Sequence, residues 1–195
     1  MRKQRLNRVL TRVLDEAEFL SPYGIRSLSK AHKDRPASLE IQGERLEVAY
    51  APGESPTRLF GGNSNWRGPI WMPINYLLVS ALRRFHTFYE SEFALACPTG
   101  ASRDLTLAEL ADELAARVAR LFLRDPIYDG AELLQSDPHF KDHVLFFEYF
   151  DGETGRGLGA SHQTGWTALV ALLLQPPPSG AAAARTKGPL SSDAK

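Results

Sequence analysis

Apolar residues recur with a helical period in four stretches of this chain. Near the start, Leu6, Val9, Leu10, Val13, Leu14 and Ala17 fall on one face and predict a helix over roughly residues 3–18. A second pattern follows Pro73, a residue suited to a first helical turn. There Ile74, Leu77, Leu78, Ala81, Leu82 and Phe85 form a broad stripe, predicting a helix over 73–89. The third, "LTLAELADELAARVARLFL", opens with Thr106 and Glu109 at capping-box spacing. Its Leu107, Leu110, Ala111, Leu114, Val118, Leu121 and Phe122 share a face. The fourth, Gly165 to Gln175, is apolar on nearly every side, and such a helix must be surrounded by other elements. Between the first two lies "SLEIQGERLEVAY", whose alternation around Gly43–Glu44 reads as a short hairpin. Past Gln175, proline, glycine, serine and alanine dominate, and residues 176–195 are expected to be a disordered tail.

These faces ask for more partners than the chain supplies. A part of a larger helical assembly, or an obligate oligomer, would supply them; a small self-contained bundle is the other solution. Composition narrows the functions. The 195 residues carry 23 Lys plus Arg against 23 Asp plus Glu, with no concentrated basic face, which argues against a nucleic-acid partner. Cys97 is the single cysteine, so neither an internal disulfide nor a multi-cysteine metal site can form. The basic start is interrupted by Arg8, Arg12 and Asp15, unlike a secretory signal. The longest apolar run, Ala168 to Leu174, is too short to cross a bilayer. The expectation is a soluble, cytoplasmic protein without metal or cofactor and with no membrane partner.

Two segments concentrate chemistry. "GGNSNWRGPIW" (Gly61 to Trp71) sets Asn63, Asn65 and Arg67 beside Trp66 and Trp71, with glycines that permit close backbone approach. Flat aromatic faces rimmed by hydrogen-bonding groups suit a sugar, whose ring faces are apolar and whose edge is hydroxyl. A buried, hydrogen-bonded turn that starts the next helix would use the same residues. In the second segment, Glu148 stands inside "LFFEYF", surroundings that a carboxylate avoids unless it is paired or functional. Facing a pocket it would be a candidate general base; facing outward it would be an ordinary strand or helix residue. The glycine-rich "DGETGRGLG" that follows lacks the lysine of a phosphate-binding loop and the oxygens of a calcium loop, and reads as a flexible active-site loop. His162, Gln163 and Trp166 open the last apolar stretch like a lining at its mouth. His139 and His143 lack the glutamate of a zinc protease motif, and Cys97 has no nearby histidine.

Taken together, "EFLSPYGIRSLSK", "LFGGNSNWRGPIWMPINYLL" and "FFEYFDGETGRGLGASHQTGWTALV" resemble the C-terminal part of the catalytic domain of glycoside hydrolase family 63, over about residues 3–175. That family includes α-glucosidases of N-glycan processing and bacterial enzymes acting on α-glucosides, glucosylglycerate or mannosylglycerate. The resemblance implies an all-α fold over residues 1–175: the C-terminal portion of an (α/α)6 barrel with a short β-hairpin insertion. It also implies an inverting mechanism, with an Asp as general acid and a Glu as general base roughly 6.5–9.5 Å apart. Glu148 matches the base. Trp66, Arg67, Gly68 and Trp71 match residues lining the sugar pocket, and Gln163 matches a glycone contact. The implied partner is a carbohydrate, an α-glucoside or α-mannoside. The family's acid belongs to an upstream half, and none of Asp125, Asp129, Asp137, Asp142 and Asp151 matches its motif. The expectation is therefore a base-bearing fragment, nearly inactive by itself, whose further partner is an upstream half of the same enzyme. A non-catalytic carbohydrate-binding or interaction protein derived from a glycosidase is the alternative.

Overall fold

The computed structural model describes residues 3–56, 65–123, 136–139, 141 and 143–175. The expected tail, Asn63, Asp125, Asp129 and Asp142 lie outside them. Three helices carry the core. Helix α1 (Lys3–Val13) buries Leu6 and Leu10, helix α2 (Met72–Tyr89) buries Met72, Val79 and Leu82, and helix α3 (Leu107–Ala119) buries Leu107, Leu110, Ala111, Leu114 and Val118. These side chains form one cluster with Leu14, Leu20, Phe93, Val170 and Leu173. Each fully buried leucine contributes about 1.5–3 kcal/mol relative to an exposed one.

Helix α3 follows its sequence pattern closely. Thr106 accepts from the Glu109 backbone N–H while the Glu109 carboxylate accepts from the Thr106 N–H, so two otherwise unpaired donors are satisfied at the helix start. The other helices depart from theirs. Helix α1 stops at Val13 rather than near residue 18, because Asp15 turns the chain, its carboxylate accepting from the Ala17 N–H at 2.8 Å. The apolar stretch after Gly165 forms two single turns, α4 (Thr164–Thr167) and α5 (Val170–Leu173). Thr167 is buried and its hydroxyl donates to the Phe147 carbonyl at 2.5 Å, pinning the first turn before the chain re-enters a helix. In α2 the broad stripe splits. Leu82 faces the core with Val79 and Asn75, whereas Ile74 and Leu77 are exposed.

An all-α fold with one hairpin is also too simple. The described residues hold four two-stranded antiparallel sheets and no closed barrel. They are β1 (Leu20–Ser21) with β2 (Gly24–Ile25), β3 (Ala37–Ile41) with β4 (Glu44–Val48), β5 (Ala94–Ala96) with β6 (Asp104–Thr106), and β7 (Tyr149–Phe150) with β8 (Gly157–Leu158). Three of these pairs have strands of two or three residues, too short for alternation to register. The β3–β4 hairpin falls where the pattern placed it, and Gln42 and Gly43 turn it with φ of 53° and 81°. Its strands are exposed along nearly their whole length.

Candidate functional site

Ile70 joins the two chemically rich segments. It makes an antiparallel bridge to Phe150 through a reciprocal pair of backbone hydrogen bonds at 2.8 and 3.0 Å, and bridges Arg26 on its other side. The loop at 65–71 is thereby welded between β2 and β7. Its conformation is held by Asn65, which is buried. The Asn65 amide donates to the Ala51 and Gly53 carbonyls, both at 2.7 Å, and its side-chain oxygen accepts from the backbone N–H and Nε of Arg67. Arg67 Nη2 donates to Ser55 Oγ at 3.0 Å. Gly68, at φ of 151°, lies where a Cβ would come within 2.5 Å of the Tyr50 ring, so the close approach requires glycine.

Above this scaffold stands a column of aromatic rings. Trp66 stacks on Trp71 at 3.8 Å between centroids and 3° between planes, and Trp71 stacks in turn on Tyr149 at 4.8 Å and 17°. Trp166 approaches Trp71 edge-on at 5.8 Å. Trp71 is only 1% exposed, and its indole N–H donates to the Asn65 carbonyl at 2.8 Å. Trp66, at the end of the column, is 37% exposed and presents its ring to solvent. Aromatic pairs contribute about 0.5–1.5 kcal/mol each beyond their buried area.

Glu148 immediately precedes β7, whose Tyr149 ends the column. The Glu148 backbone N–H donates to the Ala160 carbonyl at 2.8 Å, and the flanking bonds Phe146 to Ser161 and Gln163 to Phe146 complete a short ladder. Gln163 therefore stands, exposed, on the segment bonded to Phe146, as the residue that precedes α4. The Glu148 carboxylate is half-buried against Gly159, whose φ is 70° and where a Cβ would come within 2.7 Å of Glu148 Oε2. Burial raises the Tyr149 hydroxyl above the ordinary tyrosine range, and the Glu54 and Glu148 carboxylates push it the same way. Glu148 thus acts electrostatically on the ring beside it.

Of the residues singled out from sequence, Trp66, Glu148 and Gln163 reach the half-buried or exposed surface, while Arg67, Gly68 and Trp71 are enclosed beneath Trp66. Asn65 spends its side-chain hydrogen bonds on Arg67 and on the Ala51 and Gly53 carbonyls. The stretch read as a flexible loop is a bonded turn: Asp151 Oδ1 accepts from the N–H groups of Glu153 and Thr154 at 2.8 and 2.9 Å. Asp137 likewise accepts from the His139 N–H at 2.8 Å. No group of three or more metal-ligating side chains exists among the described residues, and no described helix is long and apolar enough to cross a membrane.

A cluster that sequence inspection missed fastens this turn. The Glu153 carboxylate accepts from Tyr50 at 2.5 Å, from Lys30 at 2.8 Å and from Arg26 at 3.2 Å. Arg26 is 4% exposed and also donates to the Leu20 carbonyl. Burial alone would raise the Glu153 carboxyl, but hydrogen bonds from Lys30 and Tyr50 and the charges of Arg26 and Lys30 outweigh it and hold it below the ordinary range. Burial also drives the Tyr50 hydroxyl well upward, helped by its bond to Glu153. Nothing local in the sequence marks this group, since Arg26 and Glu153 are 127 positions apart.

The fold fits a glycoside hydrolase domain. A family model described as the mannosylglycerate hydrolase MGH1-like glycoside hydrolase domain matches residues 1–167, and the chain belongs to that family, in agreement with its resemblance to glycoside hydrolase family 63. An uncharacterized protein of Saccharomyces cerevisiae is 55% identical over 176 residues, covering 87% of this chain and 16% of its own length. A probable mannosyl-oligosaccharide glucosidase of Schizosaccharomyces pombe is 28% identical, and a mannosyl-oligosaccharide glucosidase of Saccharomyces cerevisiae is 29% identical. These matches cover 85% and 87% of this chain and 15% of each relative. The chain thus spans about one sixth of the length of these curated relatives.

Proposed function

We propose that this chain supplies the general base and part of the glycone-binding wall of an inverting α-glycosidase, within an (α/α)6 barrel completed by the rest of a longer polypeptide. One observation carries the reading: Glu148, half-buried and fastened to Ala160 by its backbone, immediately precedes Tyr149 at the inner end of the stacked tryptophan column, inside the stretch matched by the glycosidase family. Glu148 takes a proton from water as that water attacks the anomeric carbon. Trp66 offers its outer ring face to a sugar, with Arg67, Gly68 and Trp71 shaping the wall behind it. Gln163 donates to and accepts from hydroxyls of the glycone. The proton for the leaving group comes from an acid on the remainder of the polypeptide, across the gap of roughly 6.5–9.5 Å that inversion requires. The glucosidase names of the relatives favour an α-glucoside as substrate over an α-mannoside.

The test replaces the matched 176 residues of the 55% identical yeast relative with the corresponding residues of this chain. Hydrolysis of α-glucosides and α-mannosides by this graft is followed by proton NMR. The expected first product is the β-anomer, and Glu148→Gln is expected to slow its release by about 10²–10⁴-fold, the usual worth of general base catalysis. Release at the parental rate from the Glu148→Gln protein would remove Glu148 from the base role.

A further inference from the structure

The outer side of α2 carries an apolar stripe that nothing in the described chain covers. Ile74, Leu77, Ala81, Arg84 and Phe88 recur at alternating spacings of three and four, the period at which one helix packs against another. Ile74 is 47% exposed, Leu77 61% and Phe88 77%. Toward its C-terminal half the stripe opens into a groove lined by Ala81, Arg84, Phe85 and Phe88.

We propose that this face seats a helix from the remainder of the longer glycosidase polypeptide, apolar toward α2 and bearing an Asp or Glu opposite Arg84. The inference rests on the proposed reading of the chain as part of a larger catalytic domain, and it names the surface that joins the parts. Charge selects the occupant. Arg83 pairs with Asp112 of α3 at 3.0 Å, but Arg84 has no ion-pair partner among the described residues. A second copy of α2 cannot provide one, because α2 contains no acidic residue. Length agrees: the 55% identical relative has 84% of its sequence outside the matched stretch, ample for a helix to run along the roughly 27 Å of α2.

The yeast graft described above also tests this face. A photoreactive benzophenone amino acid is placed at position 88, with position 103 as an exposed control remote from α2. The crosslink from position 88 is expected in a segment of the relative outside the graft, with an Asp or Glu within reach of Arg84. Leu77→Glu is expected to lower the unfolding midpoint of the graft, whereas Leu39→Glu, at an equally exposed leucine of the β3–β4 hairpin, is expected to leave it unchanged. Crosslinks confined to the graft, or joining two copies, would overturn the proposal, as would a midpoint that Leu77→Glu does not move. The crosslinking arm does not depend on the Leu77→Glu protein folding. Loss of hydrolysis in Glu148→Gln without an outside crosslink at 88 would sink the docking face alone. An outside crosslink with hydrolysis indifferent to Glu148→Gln would sink the catalytic reading alone.

Discussion

At the scale of single residues, Gly159 constrains Glu148 most directly. Its φ is 70°, and a Cβ there would come within 2.7 Å of Glu148 Oε2 and 2.9 Å of Glu148 Cβ, leaving no room for a methyl group. Gly159→Ala is therefore expected to cost about 1–3 kcal/mol, measured by urea unfolding. It should also displace the carboxylate, slowing hydrolysis in the graft beyond what the stability loss explains. Asn65 is the comparable residue in the tryptophan loop. Asn65→Ala removes the bonds to Ala51, Gly53 and Arg67 and leaves buried groups unpaired. A loss of about 2–4 kcal/mol is expected, with a blue or red shift of tryptophan fluorescence as Trp66 and Trp71 lose their parallel contact. An unchanged spectrum would mean that the column does not depend on the loop.

At the scale of elements, the capping box of α3 is the cleanest case. Thr106→Ala removes one half of the reciprocal pair and is expected to cost about 1 kcal/mol, read as a shift of the denaturant midpoint without a change in slope. Helix α2 starts differently, without a side-chain cap, and Asn75 one turn inside does the fastening. Its side chain accepts from the Ile25 N–H at 2.7 Å and donates to the carbonyls of Ile25 and Trp71. An asparagine on the buried side of a helix thus ties β2 to the tryptophan loop. The apolar stripe of the helix did not include it, and its role was not legible in the sequence, because two of its three bonds go to Ile25 on a different element 50 positions away.

At the scale of the whole molecule, the Glu153 cluster clamps β2, the segment after β4 and the β7–β8 turn together. The folded state holds this carboxyl below its ordinary value. Its stabilising contribution is therefore present above the unfolded pKa of about 4.3 and is lost as pH falls through the lower folded value. Glu153→Gln is expected to reduce stability at neutral pH and to flatten the acid side of the stability profile, with the two proteins converging as pH falls below the lowered folded value. Parallel profiles at all pH values would show that the carboxylate charge contributes nothing to the clamp.

What the sequence determined by itself was local or carried by long motifs. The α3 face and its cap, the β3–β4 hairpin and the glycosidase family were all legible, because periodicity, turn chemistry and motif text are written in neighbouring residues. Tertiary structure alone decided which side of α2 is covered, that the apolar stretch after Gly165 breaks into two turns, and that Arg67 and Trp71 lie beneath an exposed Trp66. It also decided the bridge of Ile70 to Phe150 and the meeting of Arg26, Lys30, Tyr50 and Glu153. The physical reason is the same in each case. Apolar spacing says that a face wants burial but not which surface buries it, and a hydrogen bond between distant positions leaves no periodic trace in either segment.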